Sequence, residues 1–169
     1  MGKALEHRIR SELQRIRLQI SNGDESEIVV WVIPSKLACS QRPLRDHPQF
    51  GGRSPLPPEA RSLVIDWVER IKQIGICSII CLLGDRQLAR YYVRGGLGLH
   101  EHGLLGYYKS QGFQVCHFPM RDYQRPQESS MQKVLRAFDE LPKPVVLHCS
   151  AAIDRTTPVA AFIVQHRGM

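Results

Sequence analysis

The sequence predicts an α/β fold in which a mostly parallel central sheet is flanked by helices. Two observations lead to this prediction. Short apolar runs with the composition of buried strands alternate with segments whose apolar residues recur at helical spacing. Most of these runs are separated by a helix, which is the connection that neighbouring parallel strands need. The 169 residues provide enough chain for one domain with its own core.

The amino-acid composition indicates which class of protein this is and which kind of partner it binds. An apolar fraction of 43% and a charged fraction of 23% are typical of a soluble globular protein, and no apolar run is long enough to span a bilayer. Charges interrupt the N-terminal apolar stretches, which argues against a secretory signal. The net charge of +7 favours anionic partners such as phosphates, acidic lipid head groups or nucleic acid. Five cysteines without zinc-type pairing indicate a reduced, cytoplasmic compartment.

The first element is an amphipathic helix over residues 3–20. Its apolar residues lie at helical spacing, and arginines occupy the other faces: Leu5, Ile9, Leu13, Ile16, Ile20. We expect residues 1–24 to form a helix appended to a main domain at 25–169. The helix docks on that domain, and the alternatives are a dimer contact or a contact with an acidic lipid surface.

Two strands and a long loop follow the helix. Residues 28–33 are β-branched and aromatic, which predicts a strand that ends at Pro34. Residues 37–39 predict a short partner strand. Residues 41–58 are rich in Pro, Gly and Arg and predict a long surface loop. Such a loop either borders a binding site or is merely solvated.

The next unit is a helix followed by a buried strand. Apolar residues mark one face of a helix over 60–74, and Gly75 ends it. Residues 76–83 are almost continuously apolar, as expected of a strand that is covered on both faces. Cys77 and Cys81 are predicted to be small core residues of this strand.

The remaining elements continue the alternation. We predict short helices on either side of a Gly-rich loop at 94–103, then a strand that Pro119 ends, and finally a helix, a strand and a helix. Their ranges are 86–93, 103–111, 113–118, 131–141, 145–148 and 155–166.

Three polar loops follow three of the predicted strands. Asp85 follows the strand at 76–83, Asp122 follows the strand at 113–118, and Cys149 follows the strand at 145–148. Ligands of open α/β sheets bind beyond the carboxyl ends of the strands. If these strands are parallel, the three loops open on the same edge of the sheet.

The segment from His148 to Thr156 carries the strongest chemical motif. A tight turn between a strand and a helix directs successive backbone N–H groups at an anion, and the helix N-terminus adds positive potential. Arg155 has the planar fork that binds two phosphate oxygens, and this environment stabilises Cys149 as a thiolate that attacks phosphorus. Thr156 is expected to hydrogen-bond the sulfur. The predicted phosphate-binding residues are Ser150, Ala151, Ala152, Ile153, Asp154 and Arg155.

The motif needs its context to be specific. A buried structural cysteine is the better explanation of Cys149 alone, and Cys-x5-Arg is a weak pattern by itself. The preceding His148, the following Thr156, the apolar strand upstream and the helix downstream favour the catalytic interpretation.

The chain resembles the protein tyrosine and dual-specificity phosphatase superfamily, whose signature is His-Cys-x5-Arg-Ser/Thr. The likeness extends over roughly residues 28–166, through the entry strands at 31–38, the helix–strand unit at 60–83 and the segment 118–122. It implies the fold of that superfamily and no metal or organic cofactor. It also implies a phosphorylated protein or other phosphomonoester as substrate, with phosphate- or sulfate-like anions bound in the loop.

The resemblance also implies roles for single residues. Asp122 protonates the leaving oxygen and later activates water, with Asp154 and Asp85 as the alternative acids. His148 orients the loop through hydrogen bonds. Whether Cys81 or Cys39 forms a disulfide with Cys149 is left open.

Departures from the superfamily pattern widen the choice of substrate. Ala152 and Thr157 stand where these enzymes usually have glycine, which predicts a strained loop. The triplet Asp154-Arg155-Thr156 is similar to the one in myotubularin-like and Sac-like phosphoinositide phosphatases. A phosphatase for phosphotyrosine, phosphoserine and phosphothreonine in proteins is the first hypothesis, and one for phosphoinositides or inositol phosphates is the second. An RNA 5′-phosphatase and a non-catalytic phosphate-binding pseudophosphatase follow. Nucleic acid is disfavoured because no aromatic-rich basic platform is present.

Overall fold

The computed structural model describes residues 2–168, so Met1 and Met169, which belong to the predicted ranges 1–24 and 25–169, lie outside it. Helices and strands alternate along the described chain, and a short 3-10 helix at Pro58–Ala60 precedes α2. The helices are α1 (Gly2–Ser21), α2 (Arg61–Gln73), α3 (Asp85–Tyr92), α4 (Gly103–Ser110), α5 (Glu128–Glu140) and α6 (Thr156–Arg167). The strands are β1 (Val30–Ile33), β2 (Leu37–Ser40), β3 (Ser78–Cys81), β4 (Gln114–His117) and β5 (Val145–His148).

The five strands form one mixed sheet in the order β1-β2-β5-β3-β4. The first pair, β1 and β2, is antiparallel, and every other neighbouring pair is parallel. The α/β fold with a mostly parallel central sheet is therefore confirmed. The antiparallel pair has only a short turn between its strands, whereas a helix or a longer crossover separates the parallel ones.

Apolar side chains of the strands alternate between the two faces of the sheet. Ile79 and Cys81 pack into one core with α2 and α4, and Ile80 and Leu82 pack into the other with α1, α5 and α6. The sheet is thus covered on both faces, as the continuous apolar run of β3 predicts.

Helix α1 packs against α6 and β1. Its buried residues are Ile9, Leu13, Ile16 and Ile20, which belong to the apolar stripe seen in the sequence. Within residues 2–168, no helix is both long and apolar enough to cross a membrane.

Two local predictions were wrong. The segment 41–58 is not uniformly at the surface, since Arg42, Leu44 and Leu56 are buried. Arg42 can be buried because its guanidinium stacks on the Tyr91 ring and donates hydrogen bonds to Ser150 and Gly52. Cys77 is exposed because it precedes β3, which begins at Ser78, so only Cys81 of the pair is a core residue.

The register of the sheet brings three loops to the same level. Cys81 of β3 is paired with His117 of β4 on one side and with His148 of β5 on the other. The segments that follow these three residues therefore leave the sheet at one edge, which is where ligands of parallel sheets bind.

Candidate active site

A cavity of about 210 Å³ lies at this edge of the sheet. The loop between β5 and α6 forms its floor, and Asp122 lines it from the segment after β4. All residues from Cys149 to Arg155 contribute to the lining except Ala152, which is fully buried behind the loop. The structure therefore brings the predicted nucleophile, phosphate-binding arginine and acid into one cavity.

Cys149 lies at the bottom of the cavity and is 1% exposed. The loop turns tightly behind it, and Ala152 adopts a φ of 74°, in the left-handed region that glycine tolerates best. The Thr157 hydroxyl donates to the carbonyl oxygen of Ala152 at 3.2 Å. The two positions that depart from the superfamily pattern thus contact each other, and Thr157 helps to hold the strained residue.

The Arg155 guanidinium is almost completely buried and is held by several acceptors. Its Nη1 donates to Gln87 Oε1 at 2.7 Å, to the Met120 carbonyl at 3.1 Å and to the Leu82 carbonyl at 3.4 Å. Its Nη2 donates to Asp122 Oδ1 at 3.1 Å. Nε is buried without a hydrogen-bond partner in the described chain.

The Asp122 carboxylate is held beside Arg155 and is about one-third exposed. Besides Arg155, its Oδ1 accepts the backbone N–H of Tyr123 at 3.1 Å, and its Oδ2 accepts Gln87 Nε2 at 3.3 Å. Asp154 also lines the cavity and is exposed. Asp85 does not line it; its exposed carboxylate lies 4.0 Å from His117 Nδ1.

His148 connects the loop to the core behind it. Burial lowers the pKa of His148 to about 4, so the imidazole is neutral. Its Nδ1–H donates to the Cys149 carbonyl at 3.1 Å, which leaves Nε2 to accept the Tyr108 hydroxyl at 3.0 Å. Burial raises the pKa of Tyr108, which keeps this hydroxyl protonated.

Thr156 and two buried thiols complete the surroundings of Cys149. The Thr156 hydroxyl is buried without a partner among residues 2–168, so the predicted hydrogen bond to the sulfur is not formed. Burial raises the pKa of Cys39 and raises that of Cys81 to about 12. Both remain neutral thiols next to the loop, and all five cysteines are free.

Arg42 is a second buried cation beside the loop. Its backbone N–H donates to the Ser150 carbonyl at 2.8 Å, and its Nε donates to Ser150 Oγ at 3.2 Å. The guanidinium lies 3.6 Å from the centre of the Tyr91 ring and donates to the Gly52 carbonyl at 2.6 Å. Within the described residues it has no carboxylate partner. Arg42 therefore fixes the residue after Cys149 and adds positive charge behind the loop.

Several residues of the site were missed at the level of sequence. Gln87 lies two residues beyond Asp85, and it reaches Arg155 from the first turn of α3, which begins at Asp85. Arg42 and the arginines at the cavity entrance had no periodic signal. The basic composition of 41–58 pointed to Arg42, Arg45 and Arg53, and Arg17 was one of several arginines on the predicted N-terminal helix.

The described chain offers no metal site. No cluster of three or more His, Cys, Asp or Glu side chains between residues 2 and 168 is arranged to hold a metal ion. The donors around the cavity are mainly guanidinium groups, which bind anions rather than cations.

Comparison with known proteins gives a family and a fold. The model of a family described as "polymorphic toxin system, DSP-PTPase phosphatase" matches residues 69–168. The solved structure of Tk-PTP in its active form is 18% identical, covers 85% of this chain and 77% of its own, and has a TM-score of 0.56. The structure of kinase associated phosphatase, with its catalytic-site cysteine replaced by serine, is 20% identical and has a TM-score of 0.57. That match covers 77% of this chain and 65% of the phosphatase chain. None of the curated proteins matches the chain.

Proposed function

The chain belongs to the DSP-PTPase phosphatase family of polymorphic toxin systems, and from this premise we propose that it hydrolyses phosphomonoesters through a phosphocysteine intermediate on Cys149. The observation that carries the proposal is the shared cavity: a buried thiol, a buried arginine with an unpaired donor and a carboxylate all line it. Four other cavities in the described part of the chain lack this combination.

The first half of the reaction transfers the phosphoryl group to sulfur. The Cys149 thiolate attacks phosphorus while the bond to the leaving oxygen breaks, and Asp122 donates its proton to that oxygen. The backbone N–H groups of the loop and the guanidinium of Arg155 hold the non-bridging oxygens. The alcohol or phenol leaves, and phosphocysteine and the Asp122 carboxylate remain.

The second half returns the enzyme to its starting state. The Asp122 carboxylate takes a proton from a water molecule, the water oxygen attacks phosphorus, and the S–P bond breaks. Inorganic phosphate leaves and the thiolate is restored. Thr156, whose buried hydroxyl is unpaired in the described chain, is suited to donate to the departing sulfur.

The phosphate must compete with Asp122 for Arg155. Asp122 accepts from Nη2 of the guanidinium and Gln87 accepts from Nη1. A dianionic phosphate attracts the guanidinium more strongly than one carboxylate does, so substrate binding displaces Asp122 toward the leaving oxygen.

For the substrate we propose phosphorylated tyrosine, serine or threonine side chains of proteins, the class that the dual-specificity family description supports. Two rings are available beside the loop for contact with the substrate. Tyr91 and Tyr123 line the cavity, and Tyr123 is 69% exposed at its entrance.

Replacement of the nucleophile tests the proposal. Cys149→Ser should abolish hydrolysis of p-nitrophenyl phosphate, whereas Cys77→Ser, at an exposed cysteine, should retain the wild-type rate. The folded state of both variants is checked by circular dichroism. Wild-type rates in Cys149→Ser would refute the assignment.

A further inference from the structure

Three arginines besides Arg155 line the cavity. Arg17 comes from α1, and Arg45 and Arg53 come from the segment between β2 and α2. They share a cavity of only about 210 Å³ with the catalytic loop. An anion bound to them would therefore share this cavity with a phosphoryl group in the loop.

Asp46 holds two of these arginines from behind. Its carboxylate accepts Arg17 Nε at 2.7 Å and Arg45 Nη1 at 3.2 Å, and its side chain is only 8% exposed. One carboxylate facing two guanidinium groups leaves a net positive charge. Among residues 2–168, Nη1 of Arg17 and Nη2 of Arg45 have no acceptor. The pair is thus oriented while keeping donors for a ligand.

Arg53 is held without a carboxylate. Its Nη2 donates to the Tyr123 hydroxyl, and in the described part of the chain it forms no ion pair. Its charge is therefore not neutralised by the protein. Its bond to Tyr123 places Arg53 beside the acid loop at the cavity.

The balance of charge in the lining favours a second anion. Four arginines line the cavity together with two carboxylates, Asp122 and Asp154, and Asp122 is paired with Arg155. Apolar surface in the lining comes chiefly from Tyr91, Tyr123 and Ile153. The guanidinium groups beside these side chains can bind a second anion while the catalytic loop holds the scissile phosphate.

Building on the phosphomonoesterase activity proposed above, we propose that Arg17, Arg45 and Arg53 form a second anion subsite. Through it the enzyme also hydrolyses small substrates that carry a second phosphate on an atom next to the one bearing the scissile phosphate. A phosphorylated inositol ring, with phosphates on adjacent carbons, has this arrangement. The cation at position 17 makes helix α1 part of the substrate site.

Selectivity measured in matched variants tests the subsite. The probes are an inositol bisphosphate with phosphates on adjacent carbons, an inositol monophosphate, a doubly phosphorylated peptide and p-nitrophenyl phosphate. Arg53→Gln and Arg17→Gln should each lower the ratio of kcat/KM for the bisphosphate to that for the aryl phosphate by about tenfold or more, because each removes charge-assisted hydrogen bonds. Arg8→Gln removes an exposed arginine of the same helix that lies outside the cavity, and it should leave the ratio unchanged.

Binding provides a readout that does not depend on turnover. In the Cys149→Ser background, calorimetry should show tighter binding of the inositol bisphosphate than of the monophosphate, and Arg53→Gln should remove the difference. Vesicles carrying the corresponding phosphoinositide distinguish a lipid head group from a free inositol phosphate.

Each outcome decides between the proposals. If no phosphomonoester is hydrolysed, the proposed function fails, and the calorimetry still tests the subsite. The subsite is refuted if p-nitrophenyl phosphate is hydrolysed but replacement of Arg17 and Arg53 changes neither the kcat/KM ratio nor the affinity for the bisphosphate. If only the doubly phosphorylated peptide depends on these arginines, the inositol class is wrong.

Discussion

Asp122 Oδ1 accepts a hydrogen bond from Arg155 Nη2 at 3.1 Å, so the residue that we propose as the acid is paired with the residue that we propose to bind phosphate. Gln87 contacts both partners, at 2.7 Å to Arg155 and 3.3 Å to Asp122. The three side chains therefore form one network. The reaction proposed above requires that phosphate enter this network in place of Asp122.

Removal of the acid should slow turnover without preventing phosphate binding. We expect Asp122→Asn to lower kcat for aryl phosphates by about 10²–10⁴-fold, because the leaving oxygen loses its proton donor. The decrease should be larger for poor leaving groups, which need the proton more.

Two other aspartates serve as comparisons for Asp122. Asp85→Asn, at a residue outside the cavity, should retain the wild-type kcat. Asp154→Asn changes a residue inside it and tests the alternative acid directly. If Asp154→Asn lowers kcat most for poor leaving groups while Asp122→Asn does not, the acid has been assigned to the wrong residue.

Gln87 should matter because it holds the guanidinium of Arg155 in place. We expect Gln87→Leu to lower kcat/KM for p-nitrophenyl phosphate by about tenfold, the order expected for loss of a hydrogen bond to a charged group. The exposed Gln127, replaced in the same way, is the control and should change little. Equal kinetics of the two variants would mean that Gln87 does not position Arg155.

The fold and the site differ in how much of them could be predicted. Helices with a regular apolar stripe, such as α1, and continuously apolar strands, such as β3, follow from periodicity. The proximity of Cys149 and Asp122 could be predicted because each follows a parallel strand, and the carboxyl ends of parallel strands lie at the same edge of the sheet. These features depend on local pattern and simple topology.

The positions of the arginines around the site depend on tertiary packing, which leaves no local pattern in the sequence. Arginines are rarely fully buried, so burial of Arg42 could not be read from a basic, Pro-rich segment. Its environment arises only when Tyr91 and Ser150 come together. The sequence of α1 predicts a solvated position for Arg17. Its place in the cavity lining results from the packing of α1 beside the loop.

His148 should make the protein sensitive to mild acid. Burial lowers its pKa to about 4 in the folded protein, from an ordinary value of 6.5. Between these values the unfolded chain binds a proton that the folded chain does not, so stability falls as pH decreases. Between about pH 7.5 and pH 5 this residue should remove about 2 kcal/mol from the free energy of unfolding.

Urea unfolding of two histidine variants at both pH values checks this contribution. His148→Gln should be less stable at neutral pH but should lose less stability on acidification than the wild type. His7→Gln, at an exposed histidine, should follow the wild type. An unchanged pH dependence in His148→Gln would show that other groups cause the acid sensitivity.

The packing of α1 on the domain can be measured with a pair of leucines. Leu13 is 1% exposed and Leu18 is 65% exposed on the same helix. Leu13→Ala should lower the free energy of unfolding by about 2–5 kcal/mol, because it leaves a cavity in the core. Leu18→Ala should change it by no more than about 0.5 kcal/mol. Similar values for the two would indicate that α1 is not part of the cooperative unit.

Trapping of the intermediate tests the proposed chemistry most directly. Asp122→Asn enzyme is mixed with an activated aryl phosphate, quenched in acid within the first turnover, digested and analysed by mass spectrometry. We predict one phosphate group, attached to the sulfur of Cys149, and no phosphorylation of the same sample made with Cys149→Ser. Turnover with no phosphate on Cys149, or with phosphate on another residue, would contradict the phosphocysteine mechanism.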